Sequence, residues 1–144
     1  MVTYRRLAAW STFRHLDTGR NALGVQSPAS SIAAGFREAC KLLRKAGCRL
    51  VYLDGSFVTT KAHPGDFDAC WDIQHVDDEA LDRVFWDFSQ GRAAQKRRFL
   101  GEFFPAHLPE GATGRAFVEF FQVNKLTGEP KGILMIRLRG SRKR

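Results

Sequence analysis

The stretch YLDGSFVTTKAHPGDFDACWD, residues 52–72, decides how the rest of the chain is read. Its last third, DFDACWD, alternates carboxylate or thiol with apolar side chain. Successive side chains of a strand point to opposite faces. A strand here therefore puts Asp66, Asp68, Cys70 and Asp72 on one side, and Phe67, Ala69 and Trp71 on the other, toward a core. Neighbouring carboxylates on one face repel, and a cation between them relieves the repulsion. Hard divalent cations take carboxylate oxygens, and Mg2+ typically uses one or two of them plus substrate phosphates. Upstream, CRLVYLD predicts another strand, ending at Gly55-Ser56. A glycine lets backbone approach a phosphate with no Cβ in the way. A serine adds a hydroxyl, and free N–H groups at a helix start cradle anionic oxygens. Each feature has a plain alternative, a solvated acidic strand or a simple turn. Together they place a phosphate-binding corner beside a metal-binding one.

The surrounding charge sharpens this. The chain has 144 residues and a net charge of +8. Yet Asp54 to Asp87 holds nine carboxylates against Lys61 and Arg83, a net −7 that leaves +15 on the remainder. Such a remainder attracts polyanions, nucleic acid and nucleotides among them. The length suits one domain with its own core, and 44% apolar residues with twelve Phe argue against disorder. No apolar run is long enough for a signal peptide or membrane span. The odd count of cysteines, Cys40, Cys48 and Cys70, points to a reducing cytoplasm. With His63 and His75 they lack the spacings of a zinc site.

Outward from the acidic stretch, residues 1–29 are expected to form an arm with one short helix, 30–139 the main domain, and 140–144 a basic tail. Ile32, Phe36, Ala39, Cys40 and Leu43 recur at helical spacing after a capping Ser30 or Ser31, and Gly47 ends that helix. DDEALDRVF predicts a short capped helix. RAAQKRRFLGEFF predicts a longer one stopped by Pro105. RAFVEFFQVN and GILMIRLR predict two strands joined by KLTGEPK as a hairpin. The expected fold is α/β in the α+β sense: a mixed sheet with helices mainly on one face and a C-terminal β-hairpin. On the first hairpin strand Glu119 shares a face with Phe117, Phe121 and Val123. An unpaired carboxylate in so apolar a strand is costly to bury, so it lies at an exposed edge or meets a cation.

Gly55-Ser56, the spacer, Asp66-Phe67-Asp68 and a later carboxylate at Glu119 together resemble the nucleotidyltransferase superfamily, the DNA polymerase beta-like fold. The likeness is to its minimal bacterial type, found in toxin–antitoxin and phage-defence loci. From Ser31 to Leu138, DFSQGRAAQKRRFLGEFFP and EFFQVNKLTGEPKGI also resemble a bacterial and phage family of small proteins of unknown function. The superfamily resemblance implies metal-dependent transfer of a nucleotidyl group from a nucleoside triphosphate to a hydroxyl. Asp66 and Asp68 would hold two Mg2+ or Mn2+ ions, with Glu119 as third ligand and Asp72 as its alternative. Gly55 and Ser56 would hold the triphosphate tail. Lys61, Lys96 and Arg97 would neutralise developing charge, surface solvation being the plain alternative for each. The chain departs from the pattern in two ways: it has little room for a second, acceptor-binding helical domain, and RAAQKRRF has no counterpart in the motif.

The acceptor is expected to be RNA, tRNA included, or a protein hydroxyl. The basic remainder and the tail RLRGSRKR suit RNA. Trp10 and Trp71 offer stacking faces, although core packing accounts for both. The competing reading is the same fold with a weak or inactive site, binding nucleic acid or a partner protein. A membrane partner is not expected.

Overall fold

The computed structural model describes residues 5–6, 28–54 and 67–138. The elements run in the order β1 (Arg5–Arg6), α1 (Pro28–Lys45), β2 (Leu50–Asp54), β3 (Phe67–Trp71), a 3-10 helix (Arg83–Trp86), α2 (Ser89–Phe99), β4 (Gly101–Pro105), α3 (Phe117–Phe120) and β5 (Ile133–Arg137). The strands form one mixed sheet in the order β1-β5-β2-β3-β4. β2 is antiparallel to both β3 and β5, while β1 runs parallel to β5 and β4 parallel to β3. The fold is therefore α+β. Among the described residues no helix is long and apolar enough to cross a membrane.

α1 buries Ile32, Phe36, Ala39, Cys40 and Leu43, the face its spacing predicts. It begins at Pro28, ahead of the expected Ser30 or Ser31; proline is at home in a first turn, where its missing N–H has no helical partner to lose. It ends through Gly47, at φ +99°. The N–H groups of Gly47 and Cys48 donate to the carbonyls of Arg44 and Leu43 at 3.0 Å each, closing the C-terminus as a left-handed glycine allows. Gly35 faces the end of α2 so closely that an added Cβ would collide with the Phe99 carbonyl.

The sheet separates two cores. Under α1, the 3-10 helix and α2, Phe36, Phe67, Phe85, Phe99 and Phe103 pack ring against ring. Centroid separations are 5.2 Å for Phe36–Phe67, 5.3 Å for Phe67–Phe103 and 5.5 Å for Phe85–Phe99, within the favourable range for aromatic pairs. The smaller core on the opposite face holds Tyr52, Cys70, Phe104, Val118, Phe121 and Ile133 beneath α3. The helices thus lie mainly on one face. Gln95, fully buried, ties α2 to both sides of the larger core. Its amide nitrogen donates to the Val84 carbonyl at 3.0 Å, and its amide oxygen accepts from the Phe103 N–H at 2.8 Å.

Three elements differ from the sequence expectation. RAAQKRRFLGEFF is two elements: α2 stops at Phe99, Leu100 turns left-handed at φ 59°, and Gly101–Pro105 is a strand. The strand can lie close against Phe67 because Gly101 has no Cβ to meet that ring. DDEALDRVF forms turns and a four-residue 3-10 helix, with the Asp82 side chain accepting from the Val84 N–H. RAFVEFFQVN contains the short helix α3 instead of a strand, so the C-terminal hairpin does not form as two paired strands. β5 already has β2 on one side and β1 on the other, and no edge is left for a hairpin partner. The loop before it closes by one antiparallel bridge, Val123 to Pro130. Of the expected N-terminal arm, Arg5–Arg6 is described as β1 and Pro28–Ala29 as the start of α1; its other residues and the tail 140–144 lie outside the described residues.

Candidate carboxylate-lined site

Strand β3 alternates as its sequence requires. Phe67, Ala69 and Trp71 enter the larger core, and Cys70 enters the smaller one. Asp68 shares the Cys70 face and is partly exposed. Across the parallel ladder Asp68 is in register with Glu102 of β4. On the other side the antiparallel ladder pairs Leu53 with Ala69, so the next step sets Asp54, at the end of β2, opposite Asp68. Asp54, Asp68 and Glu102 thus form a carboxylate row across three adjacent strands, spaced about 4.8 Å strand to strand. Cys70, the next residue inward on that face, feels both Asp68 and Asp54; burial, and then these charges, push its thiol well above the ordinary value.

Basic side chains flank the row. Lys131 Nζ contacts both oxygens of the buried Asp54, at 3.1 and 3.2 Å. Lys96 Nζ lies 3.0 Å from Glu102, and Arg92 Nη1 lies 4.0 Å from it. Arg92 is delivered by an unusual backbone: Gln90, Gly91 and Arg92 are all left-handed, with φ of 49°, 61° and 59°. Only glycine adopts that conformation freely, so the positions of Gln90 and Arg92 carry local strain. The turn lays the guanidinium over the ring of Phe104 at 4.0 Å and that of Phe88 at 4.8 Å, distances typical of cation–π attraction. Burial lowers the Arg92 pKa from its ordinary value, opposed by Glu102 and then Asp68. Its Nε is buried with no hydrogen-bond partner among the described residues.

The row opens into a cavity of about 440 Å3, within the ~300–1,000 Å3 range of small-molecule sites. Asp68 and Glu102 line its acidic part and Phe104, Phe117, Phe120 and Phe121 its aromatic part, with Arg92 between them, 4.0 Å from both Glu102 and the Phe104 ring. Lys125 and the loop at Glu110-Gly111 complete the rim. Glu110 is committed to that loop: its carboxylate accepts from the N–H groups of Ala112 and Thr113, which hold it below its ordinary pKa. A second cavity, about 390 Å3, lies between Trp71, Ile73, Val76 and Trp86 and includes none of the sequence-predicted site residues.

Gly55, Ser56, Lys61 and Asp66 lie outside the described residues. Asp68 is in the cavity wall. Lys96 is beside it, paired with Glu102. Arg97 is exposed on α2 and does not line the cavity. Glu119 is exposed in the first turn of α3 and is not a cavity-lining residue; its expected place on the first hairpin strand is corrected by the helix. Asp72 is buried beyond the end of β3, four residues from Asp68, or about 13 Å along a strand. There it accepts from the Gln74 N–H at 2.8 Å and meets His107 at 3.3 Å. That separation is too great for Asp72 to share an ion with Asp68.

Glu102, Arg92, Asp54 and Lys131 are additions to the sequence reading. A signal for Glu102 was present, since Gly101 breaks the helical pattern and Glu-Phe-Phe-Pro then follows as in an apolar strand. For the metal the resemblance implies, the donors suit a hard cation. Mg2+ needs only one or two protein carboxylates when phosphates complete its shell, and Asp68 and Glu102 offer two in register. Among the described residues no three of His, Cys, Asp and Glu converge as a full cage. The three cysteines are buried and free.

No curated protein and no solved structure matches the chain. A family model, described as a family of unknown function (DUF6932), matches residues 18–137. With that match spanning most of its length, the chain belongs to the DUF6932 family.

Proposed function

We propose that the protein is a metal-dependent nucleotidyltransferase, moving a nucleoside monophosphate from a nucleoside triphosphate to a hydroxyl of RNA or protein. The observation that carries the reading is the register of Asp68 with Glu102 in the lining of the cavity. In this reading Glu102 takes the third-ligand position first expected of Glu119, because it comes from the strand beside Asp68. Asp66, Asp68 and Glu102 would hold Mg2+ or Mn2+. When bound, such ions supply Lewis-acid stabilisation of the displacement at phosphorus. Arg92, half-desolvated against Phe104, is placed to stabilise negative charge on phosphate oxygens in a low-dielectric setting. Gly55 and Ser56 keep their proposed role at the triphosphate tail, and the basic remainder of the chain would draw RNA. A cytoplasmic toxin–antitoxin or phage-defence setting belongs to the same proposal.

A second reading is favoured by the ion pairs themselves. Glu102 is already neutralised by Lys96, and Asp54 by Lys131. A site of this kind can be a binding module that needs no metal. One experiment separates the two. Each labelled nucleoside triphosphate is offered with Mg2+ or Mn2+ to total RNA and lysate, using the wild type, Asp68→Asn and Glu102→Gln. Transfer of label that both substitutions abolish supports the enzyme. Binding of nucleotide or RNA without transfer supports the module.

A further inference from the structure

The aromatic part of the cavity lining is not accounted for by phosphate chemistry. Beside the carboxylates the cavity presents an aromatic wall. Phe104 and Phe121 are core residues, nearly covered at 8% and 6% exposure. Phe117 and Phe120 lie outside them and are only half-buried. The Phe104–Phe117 centroids are 4.9 Å apart and the Phe104–Phe121 centroids 5.0 Å. The outer rings therefore rest on a rigid aromatic base. The Arg92 guanidinium extends this wall, its centre 5.8 Å from the Phe117 centroid. Hydrogen-bonding groups suited to reading a base edge are scarce: Glu110 is spent on its own loop, and Lys125 lies over the Phe120 ring at 5.4 Å.

We infer that the Phe117–Phe120 wall is a nucleobase subsite that works by stacking, and that it therefore discriminates little among the four bases. The inference rests on the nucleotidyltransferase reading for its choice of ligand. Its own warrant is the wall: flat π-faces and a guanidinium plane bind any base, because every base has a π-face. Strong base selectivity requires paired donors and acceptors at the base edge, and in the reading above Asp68, Glu102 and Arg92 serve metal and phosphate while Glu110 serves its own loop.

The test titrates the whole protein with ATP, GTP, CTP and UTP, and with inorganic tripolyphosphate, each with Mg2+. The variants are Phe117→Leu, which stays apolar and keeps the second core filled, and Asp68→Asn. Thermal melts confirm that each variant is folded. The four nucleotides should bind within about fivefold of one another, and each about tenfold or more tighter than tripolyphosphate, as one stacking contact implies. Phe117→Leu should remove that tenfold and leave tripolyphosphate binding unchanged. Nucleotides no tighter than tripolyphosphate, equal weakening of both by Phe117→Leu, or one nucleotide preferred a hundredfold would each overturn the inference. The transfer reading fails separately. If nucleotide binding survives both EDTA and Asp68→Asn while its dependence on Phe117 persists, the site stacks bases but holds no catalytic metal.

Discussion

Asp68 and Glu102 stand in register on neighbouring parallel strands and on the same side of the sheet, with Lys96 3.0 Å from the Glu102 carboxylate. Two acids that far apart in sequence are brought together only because the chain after α2 turns straight back into a strand. Their shared position distinguishes them from Glu119, which is equally acidic but sits on the exposed side of a short helix.

That contrast predicts an asymmetric result for isosteric amides. On the proposed transfer activity, Asp68→Asn and Glu102→Gln should each lower labelled nucleotide transfer by on the order of 10²-fold or more, whereas Glu119→Gln should stay within about twofold. Initial rates under saturating triphosphate provide the measurement. Equal losses in all three variants would remove the assignment of Glu102.

Asp54 and Lys131 make a pair in which the acid is buried and the base is a third exposed. Lys131→Met should cost about 1–3 kcal/mol of stability, by taking the Lys131 ammonium away from a buried carboxylate. Asp54→Asn combined with Lys131→Met should recover most of that loss. Urea unfolding of the two singles and the double gives the coupling energy.

Gly35 lies where α1 crosses the end of α2. Gly35→Ala drives a Cβ into the Phe99 carbonyl, and backbone cannot rotate aside as a side chain can. A loss of about 1–3 kcal/mol is expected, as for other overpacked sites. Gly111→Ala is the control, since an added Cβ there meets nothing within 4 Å; it should be close to neutral in the same chemical denaturation.

Acid should weaken the fold through Asp82. The Val84 N–H first, and then Arg98 at 2.8 Å, hold its carboxyl below the ordinary 3.8. A folded-state pKa below the unfolded one means that the contribution is fully present above 3.8 and is lost as pH falls through the depressed value. Glu110, also held low, acts in the same direction. The melting temperature should drop below about pH 4, and Asp82→Asn should make that drop shallower.

The thiols should be silent in the native state. Burial raises Cys48 to about 11 and pushes Cys40 and Cys70 up as well, while the thiolate is the reactive form. Labelling with an aromatic disulfide reagent at pH 8 should be slow in buffer and reach all three cysteines in denaturant. Fast labelling of any of them in buffer would show that its burial is broken by local opening.

The sequence exposed the parts of this fold that rest on periodicity. The apolar stripe of α1, the alternation of β3 and the glycine that ends α1 are local patterns, and each corresponds to an observed element. The pairing of distant segments was not visible in this way. LGEFF reads as the tail of a helix until Leu100 is seen turning left-handed and Gly101 accommodating the Phe67 ring. FVEFF has strand composition, yet it lies across the second core as a helix, because β5 is already flanked on both sides. The candidate site was half legible. Asp68 came from alternation, whereas Glu102, Asp54 and Lys131 came from register, and Arg92 from three successive left-handed residues that no composition announces.

The buried Gln95 has a consequence for how copies of this protein meet. Among the described residues β4 is the last strand on its side of the sheet, and an outer strand is a template for pairing with another chain. The Phe103 N–H, a donor such pairing would use, is already given to the Gln95 amide oxygen. A single glutamine therefore works as a stopper on the sheet, and Gln95→Leu would do more than unpair a hydrogen bond. It would leave the Phe103 N–H at that margin without the acceptor it has now, so concentrated Gln95→Leu should self-associate more readily than the wild type, a difference that light scattering would register.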